Sequence, residues 1–63
     1  METLGKIKEL LEEMSTDTYK VFNNGNRAAS IRARKNAQEI KNLIGLYRKE
    51  ILEEMKRHDG DAN

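Results

Sequence analysis

Arg27, Arg34, Lys41 and Arg48 stand seven residues apart along the chain. A row of cations at one spacing is suited to neutralising a row of phosphates. On a helix the interval keeps them on one line about 32 Å long. Lys35 and Lys49 flank that line, and Arg32 faces another side near its start. The same residues have a plainer use, because charges beside an apolar seam often form salt bridges with a neighbouring helix. Within this chain few acids are placed to serve: the flanking positions of the first helix hold Lys8, Ser15 and Phe22 on one edge and Leu10 and Asp17 on the other. A basic line without a matching acidic line is available to an outside polyanion.

Other chemistry is poorly provided for. There is no cysteine and one histidine, His58, so neither disulfides nor a thiolate or multi-histidine metal site is possible within one chain. No glycine-rich phosphate cradle or paired histidine–carboxylate motif occurs. Glu12-Glu13 and Glu53-Glu54 are neighbours in sequence, and on a helix each pair diverges by about 100°. They read as solvated surface, and His58 as a favourable charge near a helix C-terminus. Catalysis needs convergent groups in a pocket. The expectation is a protein that is not an enzyme and has no catalytic residue, no metal, no cofactor and no small-molecule substrate.

The elements that carry the basic line are helical. Proline is absent from the 63 residues, and charged residues make up 37% of them with a net charge of only +1. That near balance, with regular apolar periodicity, argues for a folded chain. Leu4, Ile7, Leu11, Met14, Thr18 and Val21 alternate steps of three and four, with Leu10 and Phe22 widening the stripe. Thr3 is a candidate cap for this helix. A second stripe runs through Ala33, Ala37, Ile40, Ile44, Tyr47 and Ile51, widened by Leu43, Leu52 and Met55. Between them lies Asn23-Asn24-Gly25-Asn26, where Gly25 suits a left-handed helix end and Asn26 the next N-cap. So short a connection favours an antiparallel hairpin.

The predicted fold is therefore all-α: a helix over about 3–22, a turn at 23–26 and a longer helix over about 27–57. Residues 1–58 form one domain and 59–63 a polar, frayed tail. Tyr19, Phe22 and Tyr47 fall at or near the seam and are expected in the core, the alternative being that they stack on bases. Gly45 is either a tolerated surface glycine or a point of close approach.

The arms are unequal, about 30 Å against about 46 Å. Folding back places Leu4 opposite Leu46 or Tyr47, and leaves Ile51, Leu52 and Met55 without an intrachain partner. A domain this small is marginal alone. Self-association through Ile44, Tyr47, Ile51, Leu52 and Met55 is the expected support, most simply as a four-helix bundle of two hairpins.

Charge is segregated along the chain. Residues 1–19 hold two lysines against five acids, net −3; residues 20–49 hold eight bases against Glu39, net +7; residues 50–63 return to −3. A hairpin brings both acidic blocks to its open end and leaves the turn end basic. No apolar run reaches membrane-spanning length, and Met1-Glu2-Thr3-Leu4 lacks the basic start of a secretory signal. A cytoplasmic protein with no membrane partner is expected.

Gly25-Asn26-Arg27-Ala28-Ala29, then Arg32, Arg34 and Lys35, then Arg48-Lys49-Glu50, resemble the bacterial histone-like family named after the chlamydial linker-histone-like nucleoprotein. The likeness is closer to the short members of Bacteroidetes-type bacteria and covers about Leu4 to Lys56. It implies nucleoid-associated binding of duplex DNA, with Arg27, Arg32, Arg34, Lys35, Lys41, Arg48 and Lys49 on the phosphates. The chlamydial proteins continue into a lysine-rich extension, whereas this chain reads Asp59-Gly60-Asp61-Ala62-Asn63. A weak, salt-sensitive binder is then expected. The alternative is a helical hairpin that serves protein interaction or oligomerisation without nucleic acid.

Overall fold

A computed structural model describes residues 1–61 as two helices, α1 (Glu2–Asn24) and α2 (Arg27–Asp61), packed along each other as an antiparallel hairpin. Among the described residues there is no strand. The hairpin is slender, with Cα extents of 57 × 14 × 14 Å.

Two residues reverse the chain. Gly25 adopts φ 61°, ψ 31°, the left-handed region where a side chain would clash with its own backbone. This turns its N–H onto the Val21 carbonyl at 2.9 Å and the Asn26 N–H onto the Lys20 carbonyl at 3.3 Å. Asn26 then starts α2: its Oδ1 accepts from the Ala29 N–H at 3.0 Å and its carbonyl from the Ser30 N–H at 3.1 Å. Such a cap is worth about 1 kcal/mol. The expected roles of Gly25 and Asn26 both hold, and the turn is shorter than 23–26 because α1 keeps Asn23 and Asn24. The Asn23 side-chain amide donates to the Tyr19 carbonyl at 2.9 Å, which supports that last turn.

Two expectations at the ends are corrected. Thr3 caps nothing. Met1 occupies the N-cap position without a side-chain bond, and Thr3 lies within the first turn, buried on the face toward α2. α2 also runs past residue 57 to Asp61, since no proline or left-handed residue stops it. Glu54 pairs with both Arg57 and His58 across these last turns, the latter at 3.2 Å. Of the expected tail, Ala62 and Asn63 lie outside the described residues.

The seam itself is rotated from the expected one. α1 turns Thr3, Ile7, Leu10, Met14, Asp17 and Val21 toward its partner, while Leu4, Leu11 and Thr18 are exposed. α2 contributes Ala29, Ala33, Asn36, Ile40, Leu43, Tyr47 and Glu50, while Ala37, Ile44 and Ile51 stay out. Ile7, Met14, Val21, Ala33, Ile40 and Tyr47 keep their expected places. The alternating positions shift by one residue, because each apolar arc is wider than a single partner helix can cover. Ala29 is fully buried next to the turn, where its small side chain lets the helices approach.

Asp17 is the polar member of the seam. It is 5% exposed and is gripped by Arg32 through two hydrogen bonds, Nη2 to Oδ1 at 3.0 Å and Nε to Oδ2 at 3.3 Å. Those hydrogen bonds hold the Asp17 carboxyl below the ordinary aspartate value. Desolvation works the other way, and the charges of Arg32 and Lys20 add to the lowering. At the open end Glu50 brings one carboxylate oxygen under cover with no hydrogen-bond partner among the described residues.

A carboxylate whose folded pKa is depressed stabilises the fold above its unfolded pKa, and that contribution disappears as pH falls through the folded value. Arg32→Ala should therefore lower the melting temperature at pH 7 more than Arg57→Ala, which removes an exposed pair. The gap between the two variants should close as the pH is taken below 3.8. Equal losses at neutral pH, read by circular dichroism melts, would refute the structural weight given to Asp17.

Candidate nucleic-acid interface

The Asp17–Arg32 contact determines which edges of the helices meet. Asp17 belongs to the Thr3–Leu10–Asp17 edge of α1, and Arg32 stands beside the Ala29–Asn36–Leu43 edge of α2. Those two edges share one side of the hairpin. The Ile7–Met14–Val21 edge and the Ala33–Ile40–Tyr47 edge must then share the other. Outside this second pair lie Leu4, Leu11 and Thr18 on α1, and Ala37, Ile44 and Ile51 on α2. Arg27, Arg34, Lys41 and Arg48 form the next row outward on α2, all exposed. One broad face therefore carries both the uncovered apolar stripes and the basic line.

The two halves of this face differ in character. Toward the open end it presents Leu4, Leu11, Ile44 and Ile51, with Met55 beyond, all among the exposed large hydrophobic residues. Toward the turn the same rows hold Ser15, Thr18, Ser30 and Ala37, flanked by Arg27, Arg34 and Lys41. A shallow concavity lined by Val21, Gly25, Asn26, Arg27, Ser30, Ile31 and Arg34 marks this end. Lys35 and Lys49 are exposed farther round α2. Arg32 sits on the opposite side, with its guanidinium committed to Asp17 although the side chain is half-exposed.

The open end keeps the expected mismatch in length. Met1 shares a concavity with Glu50, Ile51, Glu53, Glu54 and Arg57, so α1 accompanies α2 only to about that level. On another side of the same stretch Leu52 and Met55 lie exposed, and with Gly45, Tyr47, Arg48, Lys49 and Ile51 they border a mostly apolar groove. Tyr47 is half-buried in the hairpin's own seam. Tyr19 and Phe22, expected in the core with Tyr47, are instead 67% and 84% exposed. They follow from the rotation of the seam: Val21 takes the inner position and turns Phe22 outward. Sequence periodicity did not mark them, because an aromatic beside a seam has the same spacing as one within it.

No group of three or more potential metal ligands occurs among the described residues. Among them, no helix is long and apolar enough to cross a membrane.

Fold and surface together define a two-helix hairpin with a basic end and an apolar end on one face. The chain belongs to the family described as histone H1-like protein Hc1, whose model matches residues 1–57. That is a DNA-binding, nucleoid-associated family with an architectural role, in agreement with the resemblance read from Gly25–Ala29 and the basic residues after it. No curated protein and no solved structure matches the chain.

Gly45 has no neighbour within 4 Å of where a Cβ would stand. The tolerated surface glycine is the reading that fits the hairpin. Gly45→Ala should accordingly raise stability by about 0.8–1 kcal/mol through helix propensity alone, measured by urea denaturation. A loss of stability would mean that another molecule packs against this turn in solution.

Proposed function

We propose that this chain is a small nucleoid-associated, histone-like protein that binds duplex DNA through its phosphates with little sequence preference. The observation that carries the reading is the exposed line of Arg27, Arg34, Lys41 and Arg48 in a member of a histone H1-like family. A line about 32 Å long spans nearly one turn of duplex. Lys35 and Lys49 extend the positive field to the neighbouring flank. Arg32, held by Asp17, contributes to that field more than to contacts. The side chains that would meet the duplex are cations without a recognition helix or zinc module, so they position the protein and do not read bases. The site of action is the cytoplasm, at the nucleoid.

Self-association accompanies this reading. Among the described residues no large side chain is fully buried, and Ile7, Leu10, Ala29 and Ile40 alone form the buried apolar core. Leaving Leu4, Leu11, Ile44, Ile51, Leu52 and Met55 in water forgoes about 1.5–3 kcal/mol for each that a partner would fully cover. A second copy covering the apolar half, through Ile44, Ile51, Leu52 and Met55 with the outer edge of Tyr47, gives the four-helix bundle that the lengths call for. The apolar half also supports the alternative function, an oligomerisation module indifferent to nucleic acid. The two readings separate on a single titration.

Duplex DNA should bind at 50 mM salt and release steeply toward 200 mM, with about 0.9 counterions displaced per phosphate contact. Arg34→Ala and Lys41→Ala should each weaken binding to the same degree on unrelated sequences and reduce the salt slope by about one. Fluorescence anisotropy reads both, and no binding at 50 mM would leave the oligomerisation module as the function. Ile44→Asp should lower the melting temperature and abolish its dependence on protein concentration. A folded wild-type monomer in sedimentation at micromolar concentration would sink the self-association.

A further inference from the structure

From the placement of Phe22 we infer that its ring is a wedge that enters between base pairs and kinks the DNA held by the basic end; this rests on the DNA-binding reading above. Phe22 is 84% exposed, more than any other large hydrophobic residue described. Tyr19, three residues earlier on the same flank of α1, is 67% exposed and extends the aromatic surface by one helical turn.

The apolar half of the face does not account for them. Eleven residues of helix, about 16 Å, separate Phe22 from Leu11. Ser15 and Thr18 occupy the rows between. Just across the turn from Phe22, Arg27 and Arg34 line a concavity with Val21, Asn26, Ser30 and Ile31, so cations flank the aromatic surface on the α2 side. Two copies meeting through their turn ends would bring like charges together, whereas a polyanion is drawn to the same spot.

The ring is also held in place. It stands in the last turn of α1, which is closed by the Gly25 and Asn26 N–H bonds to Val21 and Lys20 and by the Asn23 amide on Tyr19. Its height relative to Arg27 and Arg34 is thus set before any ligand arrives. A rigid apolar side chain beside phosphate-binding cations is an arrangement by which minor-groove architectural proteins unstack a base step, with kinks of about 20–90°. Pyrimidine–purine steps such as TA yield most easily. The binding would remain weakly selective, yet the bend would concentrate at such steps.

The test is energy transfer between fluorophores at the two ends of a short duplex with a central TA step, at 50 mM salt and saturating protein. Wild type should shorten the end-to-end distance. Phe22→Ala should bind with the same salt slope and lose the bend, while Phe22→Leu keeps an apolar wedge and retains most of it. Binding without any bend by wild type, or an undiminished bend with Phe22→Ala, overturns the wedge and leaves the DNA reading intact. Absence of binding by wild type removes both. A change in the solution mass of free protein on Phe22→Ala also overturns it, by assigning the ring to a contact between copies, such as with an acidic open end.

Discussion

Everything in this hairpin follows from how tightly Gly25 and Asn26 reverse the chain. With only two residues between the helices, α2 must start beside the end of α1 and run back along it, so the pairing has almost no freedom to slide. Ala29 is the first residue to meet α1, and its small size lets the backbones approach where the turn requires it. From that contact onward the register is determined, down to the level at which Met1 reaches Glu50 and Ile51. The same reversal leaves the turn end basic and brings both acidic blocks toward the open end.

A second constraint is geometric. Each helix carries an apolar arc broader than the strip one partner can hide. The hairpin buries one margin of each arc and leaves the other margins side by side. Asp17 and Arg32 help select which margin is used. A paired carboxylate is acceptable in the seam, and breaking the pair would leave a covered charge uncompensated. The result is a face that is apolar for half its length and basic for the other half.

The sequence made some of this legible and concealed the rest, for physical reasons. Helix composition, absent proline and the Asn-Asn-Gly-Asn turn are local signals, and the two helices, the left-handed Gly25 and the Asn26 cap all stand where those signals point. Helical periodicity identified Ile7, Met14, Val21, Ala33, Ile40 and Tyr47 as seam residues. It could not choose between Leu4 and Thr3, Leu11 and Leu10, or Ile44 and Leu43, because neighbours at these positions satisfy the same three–four spacing and differ only in the helix's rotation. That rotation is a property of the pair of helices. Asp17 was misleading by its charge, since only the position of Arg32 fifteen residues later makes its burial tolerable. The basic line was visible from its sevenfold spacing. The outward turn of Phe22 depended on the same rotation and so was not.

The separation of charge has a consequence for motion before contact. The central block, net +7, contains the turn, and the terminal blocks, −3 each, both lie toward the open end of a body 57 Å long. The centres of positive and negative charge are displaced along the hairpin, and it is an electric dipole. In the field of a polyanion such a body experiences a torque as well as a pull, and both act over the distance at which salt leaves charges unscreened. The molecule is rotated into a turn-first approach while still in solution. Orientation, commonly the slow part of productive encounter, is then supplied by the folded shape itself, and rising ionic strength weakens that alignment before any contact is made.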